Sequence, residues 1–198
     1  MPAFPWVVDL TTLTATGNGF VIIGGDSGDL AGFTVASAGD INGDGFDDYM
    51  VNAAAKFGAS GATYVFFGKA SGFTDFDLYN FSASEGFRIL GPAVNAYSGG
   101  GGPGDANHAL SAGDINGEGF DDIIIGAHGY NRSFYGNLGK AVVIYGKASG
   151  FGDVTLANLY SNGFYIRGDD NGDKAGWSVS TGGDINGDGY DRILVGAP

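Results

Sequence analysis

The sequence predicts an all-β fold built from repeated blades of four antiparallel strands, an incomplete β-propeller. Three observations carry this expectation. A nine-residue acidic motif occurs three times, as Asp40-Ile41-Asn42-Gly43-Asp44-Gly45-Phe46-Asp47-Asp48, Asp114-Ile115-Asn116-Gly117-Glu118-Gly119-Phe120-Asp121-Asp122 and Asp184-Ile185-Asn186-Gly187-Asp188-Gly189-Tyr190-Asp191-Arg192, with starts 74 and 70 residues apart. Such a period fits a multi-stranded repeat and not a sandwich, which has no sequence periodicity. Between the motifs lie short segments rich in Val, Ile, Phe and Tyr, bounded by Gly, Asp and Asn, which is the signature of strands between turns. Finally, 39 of 198 residues are Gly, yet 43% are apolar and 14% aromatic. A disordered Gly-rich tail would be poor in both, and no Gly-X-Y period signals collagen. Tight turns between many strands account for the Gly excess, because they need positive φ.

The elements follow in order. Residues 1–16 read as the tail of a preceding repeat, and one domain, 1–198, holds repeats at approximately 17–84, 85–161 and 162–198. Gly-Phe landmarks at Gly19-Phe20, Gly86-Phe87 and Gly163-Phe164 each open a short strand, the fourth of a blade, near Gly19–Gly24, Phe87–Leu90 and Phe164–Ile166. In the second unit His108–Ala112 leads into the acidic loop, Asp122–Ala127 is a compact apolar strand and Lys140–Tyr145 a β-branched and aromatic one. Gly68-Lys69-Ala70-Ser71-Gly72-Phe73 recurs word for word at Gly146–Phe151. Leu78-x-x-Phe81 and Leu156-x-x-Leu159, matched by Leu10-x-x-Leu13, allow one helical turn, and no longer apolar stretch has a helical period. After Gly196-Ala197-Pro198 the counterpart of the strands Thr63–Phe67 and Ala141–Tyr145 does not follow. The result is an open arc with exposed edges that invite pairing. A fragment of a longer protein is favoured over copies that self-associate through those edges.

Composition removes several function classes. Asp and Glu outnumber Lys and Arg 22 to 9, for a formal charge of -13, which disfavours partners bound through phosphate neutralisation, nucleic acids and anionic membrane surfaces alike. Zero Cys excludes disulfides, thiolate zinc and a Cys nucleophile. The longest apolar runs, such as Ile123-Ile124-Ile125, are far short of the ~20 residues that span a membrane, and no signal peptide is visible in Met1–Trp6. No Ser-His-Asp set surrounds His108 or His128, so no catalysis is expected. Arg167-Gly168-Asp169 reads as a strand entering a turn. Asn80-Phe81-Ser82 and Asn131-Arg132-Ser133 are acceptor-type triplets with meaning only in a eukaryotic secretory setting. Phe33, Trp177 and Trp6 read as packing residues.

The acidic loop carries the chemistry. Numbered from its first Asp, it places side-chain oxygens at positions 1, 3 and 5, Gly at 6, and a carboxylate at 9 in two copies. Alternate oxygens around a sharp Gly turn are how a hard cation such as Ca²⁺ is wrapped, with the position 7 carbonyl as a further donor. An EF-hand needs Glu at position 12, where this chain has Val51, Ile125 and Val195 in strand-like runs. Ordinary Asp-Asn-Gly turn chemistry would explain one copy; three copies with one internal spacing point to a metal.

These residues resemble the FG-GAP repeats of the integrin α-subunit β-propeller, which are also common in bacterial secreted and surface proteins. Gly32-Phe33 and, loosely, Gly176-Trp177 match the first part of the pattern; Gly196-Ala197-Pro198 matches the last, with Gly126-Ala127-His128 and Asn52-Ala53-Ala54 as weaker versions. The resemblance implies that the loop joins the first and second strands of each blade and holds Ca²⁺ through positions 1, 3, 5, 7 and 9. It implies a first site of Asp40, Asn42, Asp44, the Phe46 carbonyl and Asp48, and a second of Asp114, Asn116, Glu118, the Phe120 carbonyl and Asp122. The third, Asp184, Asn186, Asp188 and the Tyr190 carbonyl, departs at position 9, where Arg192 replaces a carboxylate; that site is expected to be the weakest or to be filled by the Arg side chain. Asn107 stands where other repeats have Phe33 and Trp177, after a longer Gly-rich loop, Asn95–Asp105, that reads as a surface insertion. The implied function is a non-enzymatic, calcium-binding adhesion module of an extracellular or surface protein, with a protein or glycan ligand. The alternative is an accessory platform for a secreted polysaccharide- or lipid-acting enzyme.

Overall fold

A computed structural model describes residues 19–93, 95–100, 110–130 and 138–198. Trp6, Leu10, Leu13, Asn107, His108, Asn131-Arg132-Ser133 and most of the expected insertion lie outside the described residues. The strands run β1 (Ile22–Ile23), β2 (Ala31–Gly39), β3 (Asp48–Ala53), β4 (Ala62–Phe66), β5 (Phe76–Asp77), β6 (Gly86–Leu90), β7 (Leu110–Gly113), β8 (Asp122–Ala127), β9 (Lys140–Ile144), β10 (Val154–Thr155), β11 (Gly163–Arg167), β12 (Ser178–Gly183) and β13 (Arg192–Gly196). Strands β2, β3, β4 and β6 form one antiparallel sheet and β7, β8, β9 and β11 a second, both in chain order. Strands β12 and β13 form the two-stranded start of a third. These are the expected four-stranded blades, and the acidic loop joins the first and second strands of each. The only helical segments among the described residues are one turn at Lys56–Ala59, broken by positive φ at Phe57 and Gly58, and a 3₁₀ turn at Leu78–Asn80 capped by the Asp77 carboxylate.

Short parallel additions tie each unit to the one before it. Strand β10 lies against β6 with Val154 opposite Ile89, and β5 lies against β1 with Phe76 opposite Ile22. In both places an Asp just before the added strand accepts a main-chain N–H: Asp153 from Arg88 at 3.0 Å and Asp75 from Val21 at 2.8 Å. Strand β1 therefore occupies the place of a fourth strand ahead of the first sheet.

Strand β8 shows how one run serves two interfaces. Side chains alternate across a strand. Ile123 and Ile125 face the first sheet and meet Met50, Val65, Phe87 and Ile89, while Ile124 faces the third with Val143 and Val179. All three isoleucines are fully buried, so the run is continuously apolar because both faces of the sheet are covered. Leu156 and Leu159 enter the same core as Ile123. Two packing expectations part ways here. Trp177 meets the His128 ring edge-on at 4.9 Å, whereas Phe33 is 42% exposed and belongs to none of the cores. It stands in β2, the edge strand of the first sheet.

The acidic loops make the contact between successive blades. The Asp121 N–H donates to the Asp40 carbonyl at 3.2 Å, and its carboxylate accepts the Asp40 N–H at 2.9 Å. One junction later the Asp191 N–H donates to the Asp114 carbonyl at 2.8 Å. The Asp121 carboxylate fills the space where Gly39 lacks a side chain, as Asp191 does at Gly113. The Phe120 ring covers Gly43, and the Tyr190 ring covers Gly117. Gly43 and Gly117 have φ of 72° and 74° and stand at position 4 of their loops. A side chain there would be strained by the backbone and blocked by the next blade's aromatic ring.

Lys140 is the most buried cation among the described residues, 2% exposed. Its Nζ donates to the Leu156 carbonyl at 2.7 Å and sits 4.2 Å from the Tyr130 ring centre and 4.4 Å from that of Tyr165. Among the described residues it makes no ion pair, and burial, helped by Arg167, pushes its pKa down to about 8. The aromatic faces supply part of the lost hydration.

Two predictions follow from this architecture. Gly43→Ala should lower stability by at least about 1 kcal/mol more than Gly187→Ala, since the two share a positive φ but only Gly43 is covered by a ring; urea unfolding of both variants measures the difference, and equal losses would show the ring contact to be slack. The second concerns pH. The unfolded Lys140 titrates near 10.5 and the folded one near 8, so the unfolded state holds the extra proton between those values and stability rises with pH across that window, by about 3 kcal/mol. Lys140→Met should remove that slope; a variant with the wild-type slope would exclude Lys140 as its source.

Candidate functional site

All three acidic loops share one conformation, built by the first Asp. Asp40 accepts the N–H groups of Asp44 and Gly45 at 3.0 and 2.9 Å. Asp114 accepts those of Gly117, Glu118 and Gly119 at 2.7, 3.2 and 2.9 Å. Asp184 accepts those of Gly187, Asp188 and Gly189 at 2.7, 3.1 and 2.8 Å. Asn42 and Asn116 bond the N–H two residues on, as Asp44 and Asp188 do. The position 6 glycines have φ of 89°, 88° and 86°. Short side chains that hold their own backbone, with Gly at the left-handed corner, force each loop to curl around the oxygens of positions 1, 3 and 5.

Position 9 anchors the loop to the sheet. Asp48 accepts the Ile41 N–H at 3.1 Å and the Gly68 N–H at 2.6 Å, and Asp122 accepts those of Ile115 and Gly146 at 3.0 and 2.9 Å. Both carboxylates are almost fully buried. Burial pushes each pKa up to about 6; the neighbouring carboxylates, Asp44 and Asp40 in one loop and Glu118 and Asp114 in the other, push the same way, against the backbone bonds. Negative charge is thus gathered around two buried acids, and among the described residues no side-chain cation pairs with either.

The third loop differs where the sequence does. The Arg192 guanidinium donates to Asn186 Oδ1 at 3.0 Å, to Asp188 Oδ2 at 2.5 Å and to the Tyr190 carbonyl at 3.0 Å. These are the position 3, 5 and 7 oxygens. A positive group at position 9 thus engages three acceptors of its own loop. Asp188 is held below its usual carboxylate range by its bonds to Asn186 and Arg192, and Asp184 by the Gly189 N–H.

Among the described residues no three Asp, Glu or His side chains are gathered tightly enough to hold a metal by themselves. A cation in these loops would need the Asn side chain and main-chain carbonyls as well, which is the mixed donor set that hard cations accept. Two contributors escaped the sequence reading. The position 8 acids, Asp121 and Asp191, contact the preceding blade, a role signalled only by an Asp at that position in every copy. Gly68 and Gly146 donate to the buried position 9 acids, which gives the word-for-word repeat around them a reason; a side chain at either would strike the loop backbone. Arg167-Gly168-Asp169 ends β11, with Gly168 packed against the Leu138 carbonyl and the Asp169 N–H bonded to Asp173, as expected of a strand entering a turn.

Comparison with known proteins gives the same picture. The FG-GAP repeat family matches residues 106–144 and 175–198. Integrin alpha pat-2 of Caenorhabditis briggsae is 29% identical over 182 residues, covering 86% of this chain and 13% of that protein. Integrin alpha-PS5 of Drosophila melanogaster is 29% identical over 182 residues, with 90% and 16% covered, and integrin alpha-6 of Gallus gallus is 39% identical over 90 residues, with 43% and 7% covered. The chain thus spans less than a fifth of the length of these relatives. No described helix is long and apolar enough to cross a membrane. With its recurring acidic loops, its four-stranded sheets and these matches, the chain carries segments that match the FG-GAP repeat and is similar to integrin α subunits.

Proposed function

We propose that the chain is a non-enzymatic, Ca²⁺-binding FG-GAP propeller module of an extracellular or surface protein, with an adhesive role toward a protein or glycan ligand. The observation that carries the metal reading is Arg192, a built-in cation on the position 3, 5 and 7 oxygens of the third loop. The first two loops have the same acceptors and a buried carboxylate in place of the guanidinium. Asp40, Asn42, Asp44, the Phe46 carbonyl and Asp48 would hold one ion, and Asp114, Asn116, Glu118, the Phe120 carbonyl and Asp122 the other. Ca²⁺ bound there supplies the positive charge that keeps neighbouring carboxylates ionised together. Asp184, Asn186, Asp188 and the Tyr190 carbonyl are served by Arg192 instead. Affinities of about 10⁻⁴–10⁻³ M, usual for extracellular modules, suit a Ca²⁺-rich exterior. The adhesive part of the reading rests on the integrin α relatives.

Thermal unfolding in Ca²⁺ and in chelator tests the metal. At about ten times Kd each site adds about 1.4 kcal/mol, so two sites raise the midpoint by roughly 6–12 °C. Asp40→Ala and Asp114→Ala should each halve that gain, Asp184→Ala should leave it whole, and Arg192→Asp, which restores the position 9 carboxylate, should add a third increment. A midpoint indifferent to Ca²⁺ in the wild type removes the metal from the function.

A further inference from the structure

Five Asn-Gly steps lie among the described residues, at Asn42, Asn116, Asn162, Asn171 and Asn186. Asn before Gly is the pair most prone to spontaneous loss of the side-chain amide, because Gly has no Cβ to crowd its nitrogen and its backbone turns freely. The reaction needs the main-chain nitrogen of the Gly to reach the Asn Cγ. A fold that holds either group therefore suppresses it, and this fold treats the five steps unequally. Four are held. In the acidic loops the Asn amide is turned forward: Asn42 Oδ1 accepts the Asp44 N–H at 2.8 Å and Asn116 Oδ1 the Glu118 N–H at 3.1 Å. Asn42 and Asn186 also donate to the carboxylate two residues on, at 3.0 and 2.9 Å, and Asn186 Oδ1 accepts from Arg192. The Gly117 and Gly187 nitrogens are themselves engaged, each donating to the first Asp of its loop at 2.7 Å, and Gly43 lies under the Phe120 ring. Asn162 is pinned through its backbone: its carbonyl accepts the Tyr145 N–H at 2.8 Å, its N–H donates to the Leu159 carbonyl at 2.9 Å, and Gly163 opens β11 against β9.

Asn171 has none of these restraints. It and Gly172 are exposed, and among the described residues nothing bonds the Asn171 side chain or the Gly172 N–H. The two residues form the tip of a turn that the Asp173 N–H closes on the Asp170 carbonyl at 3.2 Å, with Gly172 at a φ of 100°. The Asp173 carboxylate accepts the N–H groups of Asp169 and Asp170 at 2.9 and 2.8 Å. The first unit builds the same turn from Asp26-Ser27-Gly28-Asp29. There the Asp29 N–H donates to the Asp26 carbonyl at 3.3 Å, its carboxylate accepts the Asp26 N–H at 3.1 Å, and Gly28 has a φ of 81°. Ser27 stands at the place of Asn171, so the turn does not require the amide.

We propose that Asn171 is a modification site, the Asn-Gly step among these five that deamidates spontaneously in the folded chain. The Gly172 nitrogen gives up its proton to water and bonds to Asn171 Cγ. The Cγ–Nδ2 bond breaks and Nδ2 leaves as ammonia, which leaves a cyclic imide. Water then opens one of the two imide carbonyls, giving aspartate or isoaspartate, and no oxidant or reductant takes part. Either product adds a negative charge to the turn. Isoaspartate also inserts a carbon into the main chain between Asp170 and Gly172, which displaces Asp173 from the two N–H groups its carboxylate holds. The site lies apart from the acidic loops and reacts whether or not they hold a cation.

Peptide mapping by mass spectrometry tests it on the full chain, incubated for days in mildly alkaline buffer, folded and in urea. In the folded chain the peptide holding Asn171 should gain the mass of an acid in place of an amide and accept label from an isoaspartyl methyltransferase. Asn42, Asn116, Asn162 and Asn186 should convert at least about tenfold more slowly, since each needs its loop or strand to open first. In urea that difference should disappear. Ser27→Asn, an exposed change that leaves the first unit with the same turn tip, should fold with unchanged circular dichroism and create a second site that reacts at a rate like that of Asn171. The inference is overturned by an Asn171 that keeps its amide in the folded chain, by a loop Asn that converts as fast, by a ranking that persists in urea, or by a Ser27→Asn chain whose new Asn stays intact.

Discussion

A carboxylate at the end of the acidic loop must be held between that loop and the start of the third-to-fourth-strand connection, and the rest of the molecule follows from how it is held. Asp48 and Asp122 each take one N–H from position 2 of their own loop and one from a glycine far along the chain, Gly68 or Gly146. Those bonds set the depth at which the loop meets the sheet. They also put the position 8 residue on the neighbouring blade and the position 7 ring over the neighbour's glycine. Burying the acid is costly, and its raised pKa is the measure of that cost. In the third blade position 9 is a guanidinium, which bonds oxygens of its own loop instead.

Seen this way, the loop is both a candidate cation site and the joint of the propeller. The two roles share residues but use different atoms. Side-chain oxygens at positions 1, 3 and 5 turn inward on the loop, while the main chain of position 1 and the side chains of positions 7 and 8 turn toward the adjacent blade. The loop's negative charge therefore lies directly beside the inter-blade contact. In the last described blade Arg192 bonds the loop's own oxygens.

Much of this could be read from residue order. The bounds of the strand Asp122–Ala127 are legible because a short apolar run stands between an acidic turn and a Gly-containing one and is too short for a helix. The three loops and the anomaly at Arg192 were visible as repeats, and the guanidinium took up one of the two expected outcomes. Phe33 was misread, since an aromatic residue beside Gly in a strand gives no sign of whether anything covers its face. The two-residue parallel additions β5 and β10 were too short to announce themselves. Their Asp75 and Asp153 looked like any other acidic turn residue.

What the sequence by itself determined was local: strand period, loop curl and the placement of oxygens and glycines, all set by side chains acting within a few residues of themselves. Tertiary structure decided what depends on residues brought from far apart. It made Lys140, in a run that reads as plain strand, a cation enclosed by Tyr130 and Tyr165. It separated two equivalent positions, Met50 and Leu194, into a core residue and an exposed one. The motif around each is the same; only the presence of a next blade among the described residues differs, and burial belongs to the neighbour as much as to the residue.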